Sequence, residues 1–406
     1  MNERLICFVG LVALLASCSD NAKEATESMS RGTFGYDLNF LAKHDKDLTV
    51  LRSADSTAQV IVSAKYQGKV FTSTADGHAG RSFGWVNYKA FDGPQDEHMN
   101  AYGGENRLWL GPEGAQYSLF FTPGATMEFA NWRTPAAFDT EAWTVVSKED
   151  NTVALAKDMA LTNYAGTNLQ LSIDRTVRLL TNDEAAQLLN APLQGVKLVG
   201  YRTENVLTNT GSVAWNSKTG APCIWMLDMF VPSPAVSIVI PYDEEGFGDV
   251  ATTDYFGAIP PDRVMYKKGV LYFKADGKSR GKLGLSPQRA KPIAGSYDAD
   301  NNLLTLTVFD VDKQATYLNQ AWKLVPDPLK GDAVNAYNDG PLADGGQMGP
   351  FYEIESVSPA AFLKPGQKLA HNHTVIHVTG AKTALDQIAR KTLGVSLTTI
   401  QTAFSK

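Results

Sequence analysis

Two glutamates lie on one face of a predicted strand near the C-terminal end of the chain. In the stretch FYEIESVSP, Glu353 and Glu355 alternate with Tyr352 and Ile354, and alternate residues of a strand point to the same side of a sheet. Two carboxylates held side by side repel each other, which raises the proton affinity of one of them. The pair suits acid–base chemistry or the binding of a cation, although a solvated strand face gives the same pattern.

Three of the six histidines fall in the stretch LAHNHTVIHV. If this stretch is a strand, His371, His373 and His377 share a face, and His371 lies about 7 Å from His373. That spacing suits two ligands of one ion or one sugar, and it also suits a polar surface ladder. A turn at Pro365 and Gly366 joins this strand to the one with the glutamates. His377 lies in a more apolar run and is predicted to be a core residue with its hydrogen bonds satisfied.

The stretch AYGGENRLWLG contributes a third group of polar side chains. Its paired glycines permit a bulge or a close approach to a ligand. Glu105, Arg107 and Trp109 are expected on one face of the strand that follows, where Arg107 offers planar donors to hydroxyl or carboxylate groups. A tryptophan face can stack on a sugar ring, and the same mixture also occurs in an ordinary half-buried sheet. His98 lies just upstream.

The elements that must position these residues are predicted to be short strands. Most segments after residue 45 are rich in β-branched and aromatic residues, alternate with period 2, and are bounded by Gly, Pro, Asn or Asp. This pattern predicts an all-β sandwich or barrel. Helical patterns are few, and the clearest ones cover residues 34–44 and 382–394. Because the composition does not change along the strands, residues 34–406 are predicted to form a single large β-sandwich domain.

The N-terminus has the pattern of an export signal. A charged start with Arg4 precedes an apolar run that is too short for a permanent membrane helix. The run ends in Leu-Ala-Ser-Cys, which resembles a bacterial lipobox. We therefore predict a lipoprotein signal peptide over residues 1–17, and a flexible tether over residues 18–33 that begins with an acylated Cys18. The protein would then be lipid-anchored in the bacterial cell envelope, on the periplasmic or cell-surface side. A plain secretory signal with a chance cysteine is the alternative.

Several function classes receive no support from the sequence. The net charge is −6 and there is no basic block, which argues against nucleic acid as a partner. No phosphate loop, dinucleotide fingerprint, HExxH or GxSxG motif is present, so no cofactor is expected. One alternative stays open, a divalent metal held by His371 and His373 with Glu353 or Glu355. Cys223 lies in an apolar run and is predicted to be a buried, inert thiol.

Three segments together resemble galactose mutarotase-like supersandwich proteins: GGENRLWLGPEG, TNTGSVAW and YEIESVSPAAFLKPGQKL. The segments STADGHAGRSFGWVN and KLGLSPQRAKPIAGSYD resemble, more closely, an uncharacterised family of predicted bacterial lipoproteins with that fold. The resemblance implies an all-β galactose mutarotase-like supersandwich of many antiparallel strands with few short helices. It also implies a carbohydrate ligand.

The resemblance also suggests roles for individual residues. In sugar mutarotases, a glutamate on a late strand before a Pro-Gly turn takes the anomeric proton, and an early arginine and histidine hold hydroxyls. The matching positions are Glu355, with Glu353 as the other candidate, and then Arg107 and His98. The stretch that follows TNTG has no histidine where mutarotases present the catalytic acid. Binding, or an unknown carbohydrate reaction, is therefore favoured over mutarotation.

We therefore expect a membrane-anchored carbohydrate-binding or carbohydrate-acting lipoprotein. A metal-dependent carbohydrate-active enzyme and a non-catalytic structural or assembly lipoprotein are the alternatives. The candidate catalytic residues are Glu353, Glu355, His371 and His373, and the candidate substrate-binding residues are His98, Glu105, Arg107 and Trp109.

Overall fold

The computed structural model describes residues 29–342 and 345–405. The predicted signal peptide, Cys18 and the first part of the predicted tether lie outside the described residues. Within the described ranges, no helix has the length and apolar character needed to cross a lipid bilayer.

Most of the regular secondary structure in the described residues is β-strand. The strands are β1 Thr49–Arg52, β2 Gln59–Ser63, β3 Lys69–Thr74, β4 Arg107–Gly111, β5 Thr144–Lys148, β6 Thr152–Thr162, β7 Asn168–Leu179, β8 Val196–Asn209, β9 Cys223–Phe230, β10 Val236–Pro241, β11 Val264–Lys267, β12 Val270–Lys274, β13 Gly281–Leu285, β14 Ile293–Asp298, β15 Leu303–Phe309, β16 Val334–Asn338, β17 Tyr352–Val357 and β18 Lys368–Gly380. The α-helices are α1 Phe34–His44, α2 Tyr88–Asp92, α3 Asn182–Leu189, α4 Lys382–Leu393 and α5 Leu397–Gln401. Single 3-10 turns cover Ala115–Tyr117, Phe129–Asn131 and Ala136–Phe138.

The strands are arranged in three sheets. A small sheet has the order β1-β2-β3, a ten-stranded sheet has the order β11-β12-β10-β14-β15-β18-β8-β7-β6-β5, and a five-stranded sheet has the order β13-β16-β17-β9-β4. Every pairing between these strands is antiparallel. The predicted all-β class, with antiparallel strands and few short helices, is confirmed.

The main core lies between the five-stranded and the ten-stranded sheets. Leu108 and Ile354 of the smaller sheet belong to the same buried cluster as Ile173, Leu207 and Val375 of the larger one. Full burial of an aliphatic side chain of this size contributes about 1.5–3 kcal/mol. Because side chains alternate along each strand, the residues between these core positions point to the opposite face of the five-stranded sheet.

Helices close the outer face of the ten-stranded sheet. Leu385 and Ile388 of α4 and Leu397 of α5 pack in one buried cluster with Ile376 of β18. Helix α4 ends at Gly394, whose φ of 74° is a left-handed conformation that glycine adopts at low cost. Both helices predicted from the sequence, over residues 34–44 and 382–394, are confirmed as α1 and α4.

Candidate functional site

A cleft of about 760 Å³ lies over the face of the five-stranded sheet that points away from the main core. We call it the aromatic cleft. All five strands of the sheet contribute to its floor, through Arg107, Trp109, Trp225, Leu227, Lys282, Tyr337 and Glu353. Its walls come from loops outside the sheet, through His98, Glu113, Phe129, Trp132, Phe256, Arg280, Trp322 and Phe351. The rigid sheet therefore holds the floor, and the loops provide most of the aromatic surface.

The floor carries two ion pairs that are shielded from solvent. An Arg107 Nη2 atom lies 2.7 Å from Glu353 Oε1, and Lys282 Nζ lies 3.0 Å from Glu355 Oε2. Strand register places Arg107 of β4 level with Glu355 of β17, because both pair with Leu227 of β9, so the ion pair of Arg107 with Glu353 is a diagonal contact on the same face of the sheet. The four charged side chains are each less than a tenth exposed, so their attraction acts with little screening by water.

The buried charges perturb one another. Burial, together with repulsion from the nearby Glu355 carboxylate, raises the pKa of Glu353 to about 8, against the attraction of Arg107. Burial also raises the pKa of Glu113, against the attraction of Lys282. Burial alone would lower the pKa of Lys282, but the attraction of Glu355 and Glu113 outweighs it and raises that pKa. The cleft therefore holds a carboxyl group, Glu353, that is partly protonated near neutral pH.

Two tryptophan rings of the floor contact the basic side chains of these ion pairs. The Trp225 indole N–H donates to Glu355 Oε2 at 2.7 Å, and Lys282 Nζ lies 4.4 Å from the centre of the Trp225 ring. The Arg107 guanidinium lies 4.8 Å from the centre of the Trp109 ring. Each contact is a cation–π interaction. The faces of these tryptophans thus hold the cations in place.

The aromatic surface that is open to a ligand lies on the walls. Trp322 is half-buried and stacks on Trp132, with 5.8 Å between ring centres and 22° between planes. Phe129 is 60% exposed and stacks on the His98 ring at 4.3 Å. Phe256 meets the Trp322 ring edge-on at 6.1 Å. These rings form a continuous aromatic wall beside the charged floor.

The structure brings together four of the residues predicted from the sequence. Arg107, Trp109 and Glu353 lie on the floor of the aromatic cleft, and His98 lies on its wall. Glu355 lies directly behind this lining, only 1% exposed, where it holds Lys282 and Trp225. Glu353 therefore presents its carboxyl group to the cleft, while Glu355 positions its neighbours.

The structure does not bring His371 and His373 to the cleft. Both are fully buried and lie on the core side of the five-stranded sheet, where the Ser356 hydroxyl is 2.8 Å from each ring. His373 also lies 2.7 Å from a carboxylate oxygen of Asp228. Burial, and then repulsion from His373, lowers the pKa of His371 to about 3. The pair belongs to an internal hydrogen-bond network between the two sheets.

Glu105 is also turned away from the cleft, because the strand begins only at Arg107. Glu105 is fully buried and lies 2.7 Å from Ser73 Oγ and 3.0 Å from His377 Nε2. The preceding Gly103 has a φ of 84°, and a Cβ there would lie 2.2 Å from the Trp85 carbonyl oxygen. The glycine thus permits a close approach of two backbones. His377 is a buried core residue with polar partners, as predicted.

A family model covers almost all of the described chain. The model of the family of unknown function DUF6786 matches residues 32–404. The chain belongs to this family. No functionally curated protein matches the sequence.

Solved structures with a similar chain path include galactose mutarotase-like proteins. One is a putative aldose 1-epimerase from Escherichia coli K12, with 12% identity, a TM-score of 0.48, and coverage of 81% of this chain and 98% of that one. Another is a galactose mutarotase-like protein from Lactobacillus casei, with 11% identity, a TM-score of 0.47, and coverage of 81% and 99%. The predicted kinship with a lipoprotein family stays a prediction.

The proposed metal ligands of this DUF6786 member lie on opposite sides of the five-stranded sheet, with the glutamates on β17 and the histidines on β18. Glu353 lines the aromatic cleft and Glu355 lies directly behind that lining, whereas Ser356, which contacts His371 and His373, points to the core. The carboxylates and imidazoles therefore cannot converge on one ion. Among residues 29–342 and 345–405, no group of three or more His, Cys, Asp or Glu side chains is arranged to hold a metal ion.

Sequence reasoning missed most of the cleft walls. Trp132 and Trp322 lie in the loop segments ANWRTP and NQAWKL, where no periodicity indicates the direction of a side chain. A tryptophan flanked by polar residues or proline, outside any predicted strand, was the available signal.

Cys223 was predicted to be buried and inert, and it is fully buried with a pKa raised by burial to about 12.

Proposed function

We propose that the aromatic cleft binds carbohydrate. The observation that carries the proposal is the half-open aromatic wall of Trp322 and Phe129 beside the ion pair of Arg107 and Glu353. The C–H face of a sugar ring packs on an aromatic ring, and its hydroxyls take hydrogen bonds from guanidinium and carboxyl groups. Apolar surface with a few polar groups on a rigid floor is the usual composition of a small-molecule site.

The charges of the cleft favour a neutral sugar. The lining has three basic side chains, Arg107, Arg280 and Lys282, and three acidic ones, Glu113, Asp339 and Glu353, with Glu355 directly behind it. A strongly anionic or cationic ligand would therefore meet both basic and acidic side chains in this lining. Neutral hydroxyl groups can use both donors and acceptors without leaving either kind unpaired.

Calorimetric titration of the purified protein against a panel of neutral and acidic mono- and disaccharides tests this proposal. We expect saturable binding of at least one neutral sugar, with weaker or no binding of the matching uronic acid. Absence of binding across the whole panel would overturn the proposal and favour the non-catalytic structural or assembly role. A stable partner protein recovered with the full chain would support that alternative.

A second candidate function is acid–base action on the bound sugar, with Glu353 as proton donor. The supporting observation is its pKa of about 8, which keeps part of the population protonated at neutral pH. Glu355 is the other carboxylate of the pair, although Lys282 and Trp225 already hold it. NMR exchange spectroscopy on sugar anomers tests this candidate. Exchange that is accelerated by the wild type and not by Glu353→Gln supports it, and no acceleration by the wild type contradicts it.

We also propose that the protein is a lipoprotein of the bacterial cell envelope, attached through an acylated Cys18. The support is the sequence pattern of the charged start, the apolar run and Leu-Ala-Ser-Cys. Metabolic labelling with palmitate and membrane fractionation of the full chain test this. Wild type and the matched control Cys7→Ala should be labelled and sediment with membranes, whereas Cys18→Ala should do neither. Labelling of Cys18→Ala would contradict the anchor.

A further inference from the structure

A second cavity of about 850 Å³ adjoins the aromatic cleft. Four residues line both spaces, namely Asp96, Met99, Ala101 and Met348. The two cavities are therefore neighbours that share one boundary, rather than sites on separate surfaces. Each volume is within the range of about 300–1,000 Å³ that encloses a drug-sized ligand, so together they exceed what a single sugar ring needs.

The far part of the second cavity is polar and aromatic in the same way as the cleft. The Arg31 guanidinium lies 4.2 Å from the centre of the Tyr88 ring, and the Tyr88 hydroxyl donates to the buried Asp37. Asn87 and the exposed Lys89 lie on the same lining. Basic and acidic groups are again present together, and this combination suits the hydroxyl groups of a neutral ligand better than a ligand with a net charge.

We infer that the ligand is an oligosaccharide that lies across both cavities and passes over Met99 and Ala101. This inference rests on the proposed function, because it extends the sugar site of the aromatic cleft. One sugar unit packs on Trp322 in the cleft, and further units of the chain occupy the second cavity. Each added sugar unit that contacts the second cavity contributes to affinity, until this cavity is filled.

A substitution at Gly93 can obstruct the second cavity, because this residue is part of the cavity lining. Its φ of −89° and ψ of 170° are open to any residue, and a Cβ there would meet only the Lys89 carbonyl oxygen, at 3.7 Å. Gly93→Trp should therefore place a bulky ring at the lining of the second cavity and narrow it without disturbing the core. Gly93→Ala is the matched control, because it makes the same backbone change and leaves the space open.

The test is the dependence of affinity on chain length, measured by calorimetry with glucose and with cello- and malto-oligosaccharides of two to six units. We expect the wild type and Gly93→Ala to bind the hexasaccharide of one series at least about tenfold more tightly than the monosaccharide. Gly93→Trp should keep monosaccharide binding and lose this gain. Trimming an exposed side chain of the second cavity with Lys89→Ala should reduce the gain several-fold, whereas Lys368→Ala, at an exposed position away from both cavities, should not.

Equal affinity of the wild type for glucose and for every longer sugar would overturn the inference and leave the proposed function standing. A full gain in both Gly93→Trp and Lys89→Ala would also overturn it. If no sugar of any length binds, the proposed function fails and the inference fails with it.

Discussion

Arg107 and Glu353 are 246 residues apart in the chain and form a buried ion pair of 2.7 Å on the floor of the cleft. The order β17-β9-β4 in the five-stranded sheet brings them together. The site is therefore assembled only when this sheet has formed. Because both groups are almost fully buried, removal of either one would leave the other without its polar partner.

The first prediction concerns the dependence of stability on pH. The folded-state pKa of Glu353, about 8, lies above the ordinary pKa of a glutamate, 4.5. Its contribution to folding is therefore complete below about pH 4.5 and is lost as the pH rises towards 8. Glu353→Gln removes this titration, so the fall in the free energy of unfolding across this window should become shallower. Urea unfolding between pH 4.5 and 8.5 measures the effect.

The matched control is Glu149→Gln, at an exposed glutamate in the turn between β5 and β6. Its profile should run parallel to that of the wild type. A Glu353→Gln profile that is also parallel to the wild type would show that Glu353 is ionised normally in the folded protein, contrary to the geometry described above.

The second prediction concerns Lys282 and Glu355. Lys282→Met removes the cation from a buried carboxylate, and breaking a buried pair in this way typically costs about 3–5 kcal/mol of stability. The double variant Lys282→Met with Glu355→Gln leaves no unpaired charge, so it should be clearly more stable than Lys282→Met alone. Thermal and urea unfolding of the complete mutant cycle give the coupling energy. Additive effects of the two substitutions would contradict a direct pair.

The third prediction separates the histidine network from the cleft. The folded-state pKa of His371, about 3, lies below the ordinary pKa of a histidine, 6.5. Its stabilising contribution is present above pH 6.5 and is lost as the pH falls towards 3, because the unfolded chain binds the proton. His371→Asn should reduce acid sensitivity in this window and leave sugar affinity unchanged. A large loss of sugar binding in a folded His371→Asn variant would place the histidines in the site.

The fourth prediction concerns the aromatic wall. Trp322→Ala should weaken sugar binding by about tenfold or more, equivalent to about 1.4 kcal/mol, because it removes the half-open stacking surface. Phe247→Ala removes a ring that is 77% exposed and does not line either cavity, and it should leave the affinity unchanged. Equal affinities for the two variants would exclude Trp322 from the contact.

The fold class and part of the site were predictable from local patterns. Period-2 alternation correctly placed Glu353 and Glu355 on one face, and Arg107 and Trp109 on another that proved to be continuous with it. Alternation also correctly put His371 and His373 on a common face. Alternation does not indicate whether a given face of a strand points to the core or to solvent. For His371 and His373, the packing of β18 in the ten-stranded sheet decides this direction.

The remaining differences have two physical causes. Glu105 was assigned to the strand face because alternation was continued upstream, but Glu105 and Asn106 lie before β4 and make backbone hydrogen bonds to Phe71 and Val70 of β3. Trp132 and Trp322 lie in loops, and their positions depend on tertiary contacts between distant segments. No local periodicity encodes such contacts, so the aromatic wall was visible only in the structure.

The most direct test of the carbohydrate site is a crystal structure of the protein with the best-binding sugar of the titration panel. We predict a sugar ring packed on Trp322, with hydroxyl groups within hydrogen-bonding distance of Arg107 or Glu353. A sugar bound elsewhere on the molecule, with the aromatic cleft left free, would contradict the central claim.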